Sequence, residues 1–186
     1  MQIINITILK YLLVIFLISS CDNMKKTPSM NYKFDFFTAY NQFYLTSGNG
    51  MGALKSTIWS DEAFEDRLDV TENSLTIFTG SYGHIQGELS VLDKPTTDIS
   101  FVKYSHIVEG GLNVDSGIIN FLECPTSAVT FTVKVKPDKY RIRVYMMNLV
   151  DTDEDESTDY YKIEMWPSSD KERVVLKRHP RITPKY

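Results

Sequence analysis

Hydrophobic and polar residues alternate with a period of two over much of the chain. In AVTFTVKV, residues 128–135, valine and phenylalanine alternate with threonine and lysine, and in YRIRVY, residues 140–145, Arg141 and Arg143 alternate with apolar residues. This period is typical of antiparallel strands that bury one face and expose the other. We therefore expect Arg141 and Arg143 on a solvent-exposed face.

Further short apolar segments, bounded by turn residues, predict more strands. We expect hairpins at Asp115–Ser116–Gly117, between two apolar runs, and at Pro137–Asp138. The predicted strand segments are YKFDFFTAYNQFYLTS (32–47), SLTIFTG (74–80), HIQGELSVL (84–92), ISFVKYSHIV (99–108), GLNVDSGIINFLE (111–123), YYKIEMW (160–166) and ERVVLK (172–177).

One segment, SDEAFEDRL (60–68), has a helical pattern. Ser60 suits the N-cap, and Asp61 and Glu62 suit the first turn of a helix. Many short strands with regular turns and one small helix indicate an all-β fold, an antiparallel β-sandwich with one short helix. We assign it to residues 34–177 as one domain, because no internal repeat or second domain is visible.

The N-terminal segment indicates export. The apolar run YLLVIFLI (11–18) is too short for a permanent membrane span of about 20 residues and resembles the core of a secretory signal. The following ISSC resembles a bacterial lipoprotein box, which implies a signal peptide over residues 1–20 and lipidation of Cys21. An uncleaved membrane anchor is the alternative. Residues 21–33 then form a flexible tether, and the domain faces outward from a bacterial membrane, inner or outer.

The charge composition argues against a nucleic-acid-binding function. The chain has 20 Lys and Arg against 24 Asp and Glu, a net charge of −4. A nucleic-acid-binding protein normally has a basic stripe, so no nucleic-acid partner is expected. The C-terminal tail, residues 178–186, is basic, and we interpret it either as a frayed end or as a segment that lies against the acidic loop or anionic lipid headgroups. Once Cys21 is acylated, Cys124 has no partner in the chain, and we expect a buried, inert thiol.

The most unusual stretch is DTDEDESTDYY, residues 151–161. Counted from Asp151, it resembles an EF-hand loop at positions 1, 3 and 5, but Glu156 stands where glycine is required and Lys162 stands where the last carboxylate is required. Three interpretations stay open: a solvated loop between strands, a weak calcium site, or a negatively charged surface for a basic partner.

Other motifs predict no catalytic site, metal site or cofactor. SGNGMGALKST (47–57) imitates a phosphate loop, but Leu54 replaces the glycine needed before Lys55. No G-x-S-x-G motif is present. His84, His106 and His179 lack the close spacing of metal ligands, and His106 is expected to be structural. An enzyme with dispersed carboxylates is the weakest option.

Several stretches resemble the competence protein J family over roughly residues 34–176. They are AYNQFYL (39–45), IWSDEAFEDRL (58–68), SGIINF (116–121), PDKYRIRVYMMNL (137–149) and YYKIEMWP (160–167). The family is known for inhibitors of a DNA-entry nuclease, and similar domains occur among toxin-immunity-like proteins. The resemblance implies a shared fold and a protein-binding function without catalysis.

The sequence therefore predicts a lipid-anchored protein that binds, and inhibits, a basic nuclease or toxin-like protein. Tyr160 and Tyr161 would supply aromatic anchors, and Trp166 is either a third anchor or a core residue. The predicted charge surface comprises Asp151, Asp153, Glu154, Asp155, Glu156 and Asp159. The alternative function is an envelope module that binds carbohydrate or calcium.

Overall fold

The computed structural model describes residues 30–48, 59–150 and 158–179, which form two packed β-sheets. The predicted signal peptide, Cys21, most of the predicted tether and the acidic residues 151–157 lie outside the described residues. The elements in chain order are β1 (Met30–Thr38), β2 (Gln42–Ser47), α1 (Asp61–Glu65), β3 (Leu68–Val70), β4 (Ser74–Phe78), β5 (Gly83–Val91), β6 (His106–Val114), β7 (Ile118–Leu122), β8 (Val129–Lys134), β9 (Asp138–Met147), β10 (Tyr160–Pro167) and β11 (Val174–Lys177).

The larger sheet has six strands in the order β1-β5-β10-β9-β6-β11, and the smaller has five in the order β3-β4-β2-β7-β8. Their strands pair antiparallel, apart from the parallel pair β5 and β10. The inner faces enclose one apolar core, in which Phe34, Phe43, Phe121, Ile142 and Tyr161 are buried. Each such side chain contributes about 1.5–3 kcal/mol by leaving water. The predicted all-β sandwich is confirmed.

The predicted first strand, residues 32–47, is two strands in different sheets. Between β1 and β2, Tyr40 and Asn41 both adopt positive φ angles, 54° and 53°. This left-handed turn carries the chain from the six-stranded to the five-stranded sheet. The interruption between the two strands was not predicted, because the aromatic run continues through the turn without glycine or proline.

Both predicted hairpins are wrong. Asp115–Gly117 links β6 of the larger sheet to β7 of the smaller sheet, and the Pro137 turn links β8 back to β9 of the larger sheet. The two corners lie together, since the Val135 amide donates to the Gly117 carbonyl over 2.9 Å. A turn signal predicts that the chain reverses, whereas the packing of the two faces decides whether the flanking strands pair.

The single predicted helix is present as α1. Its N-cap is Ser60, whose hydroxyl accepts a hydrogen bond from the Ala63 amide. Phe64 packs on Phe78 with ring centroids 4.5 Å apart. The helix thereby covers one end of the smaller sheet. No helix among the described residues is long and apolar enough to cross a membrane.

The structure also changes three boundaries. β1 begins at Met30, inside the predicted tether, and β6 begins at His106, after a turn over residues 99–105. At the other terminus, Arg178 pairs with Asp66, and the His179 amide donates to His106. The first two residues of the predicted tail therefore belong to the folded domain.

Strand register defines two ends of the sandwich. At one end, Asp35 lies opposite Gln86, Gln86 opposite Tyr160, and Tyr160 opposite Met147. We call this end, where β1 finishes and β10 starts, the distal end. The other end, where β1 starts at Met30, is the proximal end. Residues 151–157, which we call the acidic segment, stand in the chain between β9 and β10, and both of those strand ends lie at the distal end.

Candidate partner-binding site

Two hydrogen bonds join the chain before the acidic segment to the chain after it. The side-chain amide of Asn148 donates to the Thr158 carbonyl over 3.2 Å, and the Thr158 hydroxyl donates to the Asn148 carbonyl over 3.3 Å. Asp151, Asp153, Glu154, Asp155 and Glu156 lie outside the described residues. Their role in binding a partner stays a prediction, and the structure supplies the position of the segment's two ends.

Asp159, predicted as part of the charged surface, is buried. Its Oδ2 accepts hydrogen bonds from the amides of Gly80 and Ser81 over 2.8 and 2.9 Å and from the Tyr161 hydroxyl over 2.8 Å. Its Oδ1 accepts from the Ser81 hydroxyl over 3.0 Å. The carboxylate thus attaches the start of β10 to the β4–β5 link, and a partner approaching the intact fold does not reach it.

Burial also raises the pKa of the Asp159 carboxyl above its ordinary value, although the hydrogen bonds from Tyr161, Ser81 and Gly80 act in the opposite direction. Buried carboxylates cost several kcal/mol unless they are paired and hydrogen-bonded. The four donors around Asp159 meet that need. Its place in the fold is that of an anchor for the chain beside the acidic segment.

The two predicted tyrosine anchors point to opposite faces of the larger sheet. Tyr161 is completely buried, and its ring packs edge-on against Phe43 at 5.5 Å. Burial raises the pKa of the Tyr161 hydroxyl, and Asp159 adds to that shift. In this fold the Tyr161 ring is therefore a core residue without a surface that a partner could contact.

Tyr160 is half-buried and lines a shallow depression of about 310 Å³ on the outer face of the larger sheet. Lys33 and Asp35 of β1 and Gln86 of β5 also line it, and the Gln86 side chain donates to Asp35 over 3.1 Å. These three residues were not predicted as site residues. The period of two in β1 identifies their face, because Lys33 and Asp35 alternate with the buried Phe34 and Phe36.

Trp166 is buried, in agreement with the core alternative, and the Arg143 guanidinium lies 4.9 Å from its ring centroid. Arg143 and Arg141 were expected in solvent but are buried. Glu109 bonds both arginines, Arg143 Nε over 2.5 Å and Arg141 Nε over 3.0 Å. The expectation was wrong because the segments around Thr96 and Glu172 cover this outer face, and both supply carbonyl oxygens to the arginines.

The buried charges form a scaffold. Arg143 also donates to the Tyr145 hydroxyl over 2.9 Å, and Tyr145 donates to Glu164 over 2.8 Å. Lys162 completes the group with an ion pair to Glu164 at 2.7 Å. Because these side chains are partnered by one another, their arrangement supports the sheet rather than presenting a base or acid to a substrate.

The remaining candidate residues have structural positions. His106 is buried, as expected, and bonds the Asp66 carbonyl over 3.0 Å. Cys124 is a buried free thiol, as expected, which accepts from the Gln42 side-chain amide over 3.2 Å and from the Tyr44 hydroxyl over 3.4 Å. Across the three described ranges, His, Cys, Asp and Glu side chains form no group of three suited to a metal ion.

Comparison with known proteins identifies the architecture. No protein-family model and no curated protein sequence matches the chain. Among solved structures, ComJ from Bacillus subtilis, inhibitor of the DNA degrading activity of NucA, superposes with a TM-score of 0.60 at 12% identity, covering 76% of this chain and 99% of ComJ. The chain has a ComJ-like fold. A structure described as crocagin biosynthetic gene J superposes with a TM-score of 0.52 at 10% identity, covering 75% of this chain and 98% of its own.

These identities establish a shared fold and nothing finer. The fold that the competence protein J resemblance implies is confirmed.

Proposed function

We propose that the chain is a bacterial lipoprotein, held in a membrane by acylated Cys21, whose sandwich binds and inhibits a basic nuclease or toxin-like protein. The proposed contact is the acidic segment between β9 and β10. Its charged residues are Asp151, Asp153, Glu154, Asp155 and Glu156.

The observation that supports this most is the attachment of Asp159 to the β4–β5 link. Asp159 starts the return of the chain after the acidic segment, and its bonds to Gly80 and Ser81 hold that point at the distal end. Met30, where the chain enters from the expected membrane anchor, lies at the proximal end. The described residues on either side of the acidic segment, Val150 and Thr158, therefore lie at the end of the domain opposite Met30.

A nuclease binds phosphate groups with a positively charged cleft. Five carboxylates in the six residues from Asp151 to Glu156, with no lysine or arginine among them, form a strong local negative charge. Complementary charge raises association rates and favours the correct partner. The fold shared with an inhibitor of a DNA degrading activity supports the same class of partner.

The test uses the full chain in detergent micelles and NucA, the nuclease named with ComJ, as the probe. In the loop variant, Asp151, Asp153 and Asp155 become Asn, and Glu154 and Glu156 become Gln. We expect the association rate constant to fall about tenfold and its dependence on salt to flatten.

A matched control neutralises carboxylates at the proximal end. Glu72, Asp93 and Asp115 are exposed there, and their change to Gln, Asn and Asn should leave association with NucA near the wild-type rate. Equal association rate constants for the loop variant and the wild type would show that the acidic segment has no role in binding NucA. Absence of wild-type binding would contradict the proposed function itself.

A further inference from the structure

Exposed apolar side chains are concentrated at one end of the molecule. Among the described residues, one large exposed hydrophobic residue, Met30, lies at the proximal end. The others lie at or next to the distal end, in β1, in links between strands and at the start of β8: Phe37, Tyr40, Phe101, Val102, Val129 and Val150.

Four aromatic side chains within this region contact one another. Phe37 packs edge-on against Tyr82 at 5.9 Å and against His84 at 5.6 Å between ring centroids, and Tyr82 packs against Tyr40 at 6.3 Å. Phe37 is 45% exposed and Tyr40 is 66% exposed. We call Phe37, Tyr40, Tyr82 and His84 the distal aromatic cluster.

The backbone holds these rings in place. Tyr40 stands at a φ of 54°, a conformation that costs a residue with a large side chain about 1 kcal/mol or more. The Thr79 amide donates to the Asn41 carbonyl over 2.8 Å, which fixes the turn against the β4–β5 link that carries Tyr82. The link is fixed in turn by Asp159. The cluster is thus built on the same anchor as the end of the acidic segment.

A polar group continues the cluster along the outer face. Asp35 lies 3.6 Å from His84 and accepts a hydrogen bond from Gln86, at the edge of the depression lined by Tyr160. The Asp35 side chain is 59% exposed. An exposed carboxylate beside exposed aromatic faces is a suitable receptor for a cationic side chain, which an aromatic face attracts within about 6 Å.

The charge of the distal end favours a basic occupant. The helix α1 lies at the distal end, because its Phe64 packs on Phe78 at the end of β4. The exposed carboxylates of α1 are therefore at the same end of the molecule as Asp35. The exposed cations near this end are Lys33, which lines the depression beside Asp35, Lys103, and Arg178, which pairs with Asp66. The carboxylates at this end that are exposed or half-buried, outside the acidic segment, include Asp35, Asp61, Glu62, Glu65 and Glu123.

We propose that the distal aromatic cluster is the docking surface for arginine and lysine side chains of a basic protein partner. This rests on the proposed function and assigns separate tasks to two parts of the distal end. The acidic segment accelerates encounter, and the cluster with Asp35 holds the complex together. Aromatic residues dominate the residues that carry binding energy in protein interfaces, and their loss appears in the dissociation rate.

The experiment compares NucA binding by the full chain in detergent micelles with that of a cluster variant, Phe37→Thr with Tyr40→Asn. Threonine suits a strand, and asparagine tolerates the positive φ at residue 40 better than most residues. We expect the dissociation rate constant to rise at least about tenfold with little change in the association rate, a loss of about 1.4 kcal/mol. The control is Met30→Thr, an exposed position at the proximal start of β1, which should dissociate as the wild type does.

Three results separate the possible failures. If the wild type binds and the cluster variant dissociates within twofold of it, this inference is wrong and the proposed function stands. If the wild type is a dimer in light scattering and the cluster variant is a monomer that binds NucA normally, the cluster is a self-association surface and the inference is again wrong. If the wild type does not bind NucA, the proposed function fails first, since the loop and cluster variants then have nothing to alter.

Discussion

Asp159 and Ser81 are joined by two hydrogen bonds, from the Ser81 amide over 2.9 Å and from its hydroxyl over 3.0 Å, although they stand 78 residues apart in the chain. Ser81 belongs to the link between β4 and β5, and Asp159 precedes β10. This pair connects the two sheets at the distal end. It also fixes Asp159, which follows the acidic segment in the chain, and the link that carries Tyr82 of the distal aromatic cluster.

Replacing Asp159 with alanine should lower the free energy of unfolding by about 3 kcal/mol, because the amides of Gly80 and Ser81 would lose their acceptor in a buried place. Asp159→Asn should cost about 1 kcal/mol or less. Its oxygen can take the place of Oδ2, and its amide can donate to the Ser81 hydroxyl. Urea unfolding of both variants checks this, with the exposed Asp93→Ala as the control. Equal losses for Ala and Asn would show that the charge, rather than the acceptor, is what the site needs.

The sequence placed Asp159 in a charged surface because it continues a run of acidic residues. Nothing in its local pattern distinguishes it from Asp153 or Asp155, and its partners, Gly80 and Ser81, are distant in the chain. Burial here is decided by tertiary contacts. Local patterns predicted most of the strands, the single helix and its Ser60 cap, because period and capping are properties of adjacent residues.

Glu109 is the centre of the buried charge group on the outer face of the larger sheet. Its replacement by alanine should lower the free energy of unfolding by about 4 kcal/mol, because Arg141 and Arg143 would keep their charge in a buried place without their shared carboxylate. Replacing all three together, Glu109→Leu, Arg141→Met and Arg143→Met, should recover most of that loss. Chemical unfolding of the single and triple variants measures the difference.

A surface pair provides the comparison for Glu109. Glu62 pairs with Arg173 at 3.3 Å, but its side chain is 77% exposed, so Glu62→Gln should cost less than about 1 kcal/mol. If Glu109→Ala cost no more than Glu62→Gln, the buried group would have no special role in stability. The burial of Arg141 and Arg143 could not be predicted, since it depends on two distant segments that cover alternating positions of β9.

Stability should fall with decreasing pH through His106. Burial lowers the pKa of this imidazole to about 4, with the positive charges of Arg67 and Arg178 acting in the same direction and Asp66 opposing them. Its Nδ1 accepts from the His179 amide, so Nε2 is the protonated nitrogen and donates to the Asp66 carbonyl. The unfolded chain, with a histidine pKa near 6.5, binds the proton first as pH falls.

The contribution of neutral His106 to the free energy of unfolding is fully present above about pH 6.5 and is lost as pH falls towards 4. The loss amounts to about 3 kcal/mol from this group. Urea unfolding across this range should give a shallower pH dependence for His106→Gln than for the wild type. Parallel curves for the two proteins would contradict the burial of a neutral imidazole.

The anchoring proposal is tested at Cys21. Cys21→Ser should prevent incorporation of labelled palmitate and release the protein from membranes, because stable anchoring needs more than one acyl chain or a second membrane signal. Fractionation of cells that express each form measures the change. A serine variant that stays fully in the membrane fraction would favour the uncleaved anchor instead.

The turns at Asp115–Gly117 and Pro137–Asp138 were wrongly predicted as hairpins, because a local turn pattern does not show whether the flanking strands pair in one sheet. Each turn reverses the chain as expected, yet each joins strands of opposite sheets. The flanking strands bury their inner faces against each other across the core instead of pairing by hydrogen bonds. This choice depends on which strands are already neighbours, such as β6 with β9 and β7 with β8, and a single turn carries no such information.

Inhibition of a nuclease tests the central claim most directly. Increasing amounts of the full chain in detergent micelles are added to NucA, and degradation of linear DNA is followed over time. The account predicts that the wild type stops degradation in proportion to its amount and that the loop variant requires a higher concentration. Undiminished DNA degradation at a large excess of the wild-type chain, with its fold verified by circular dichroism, would contradict it.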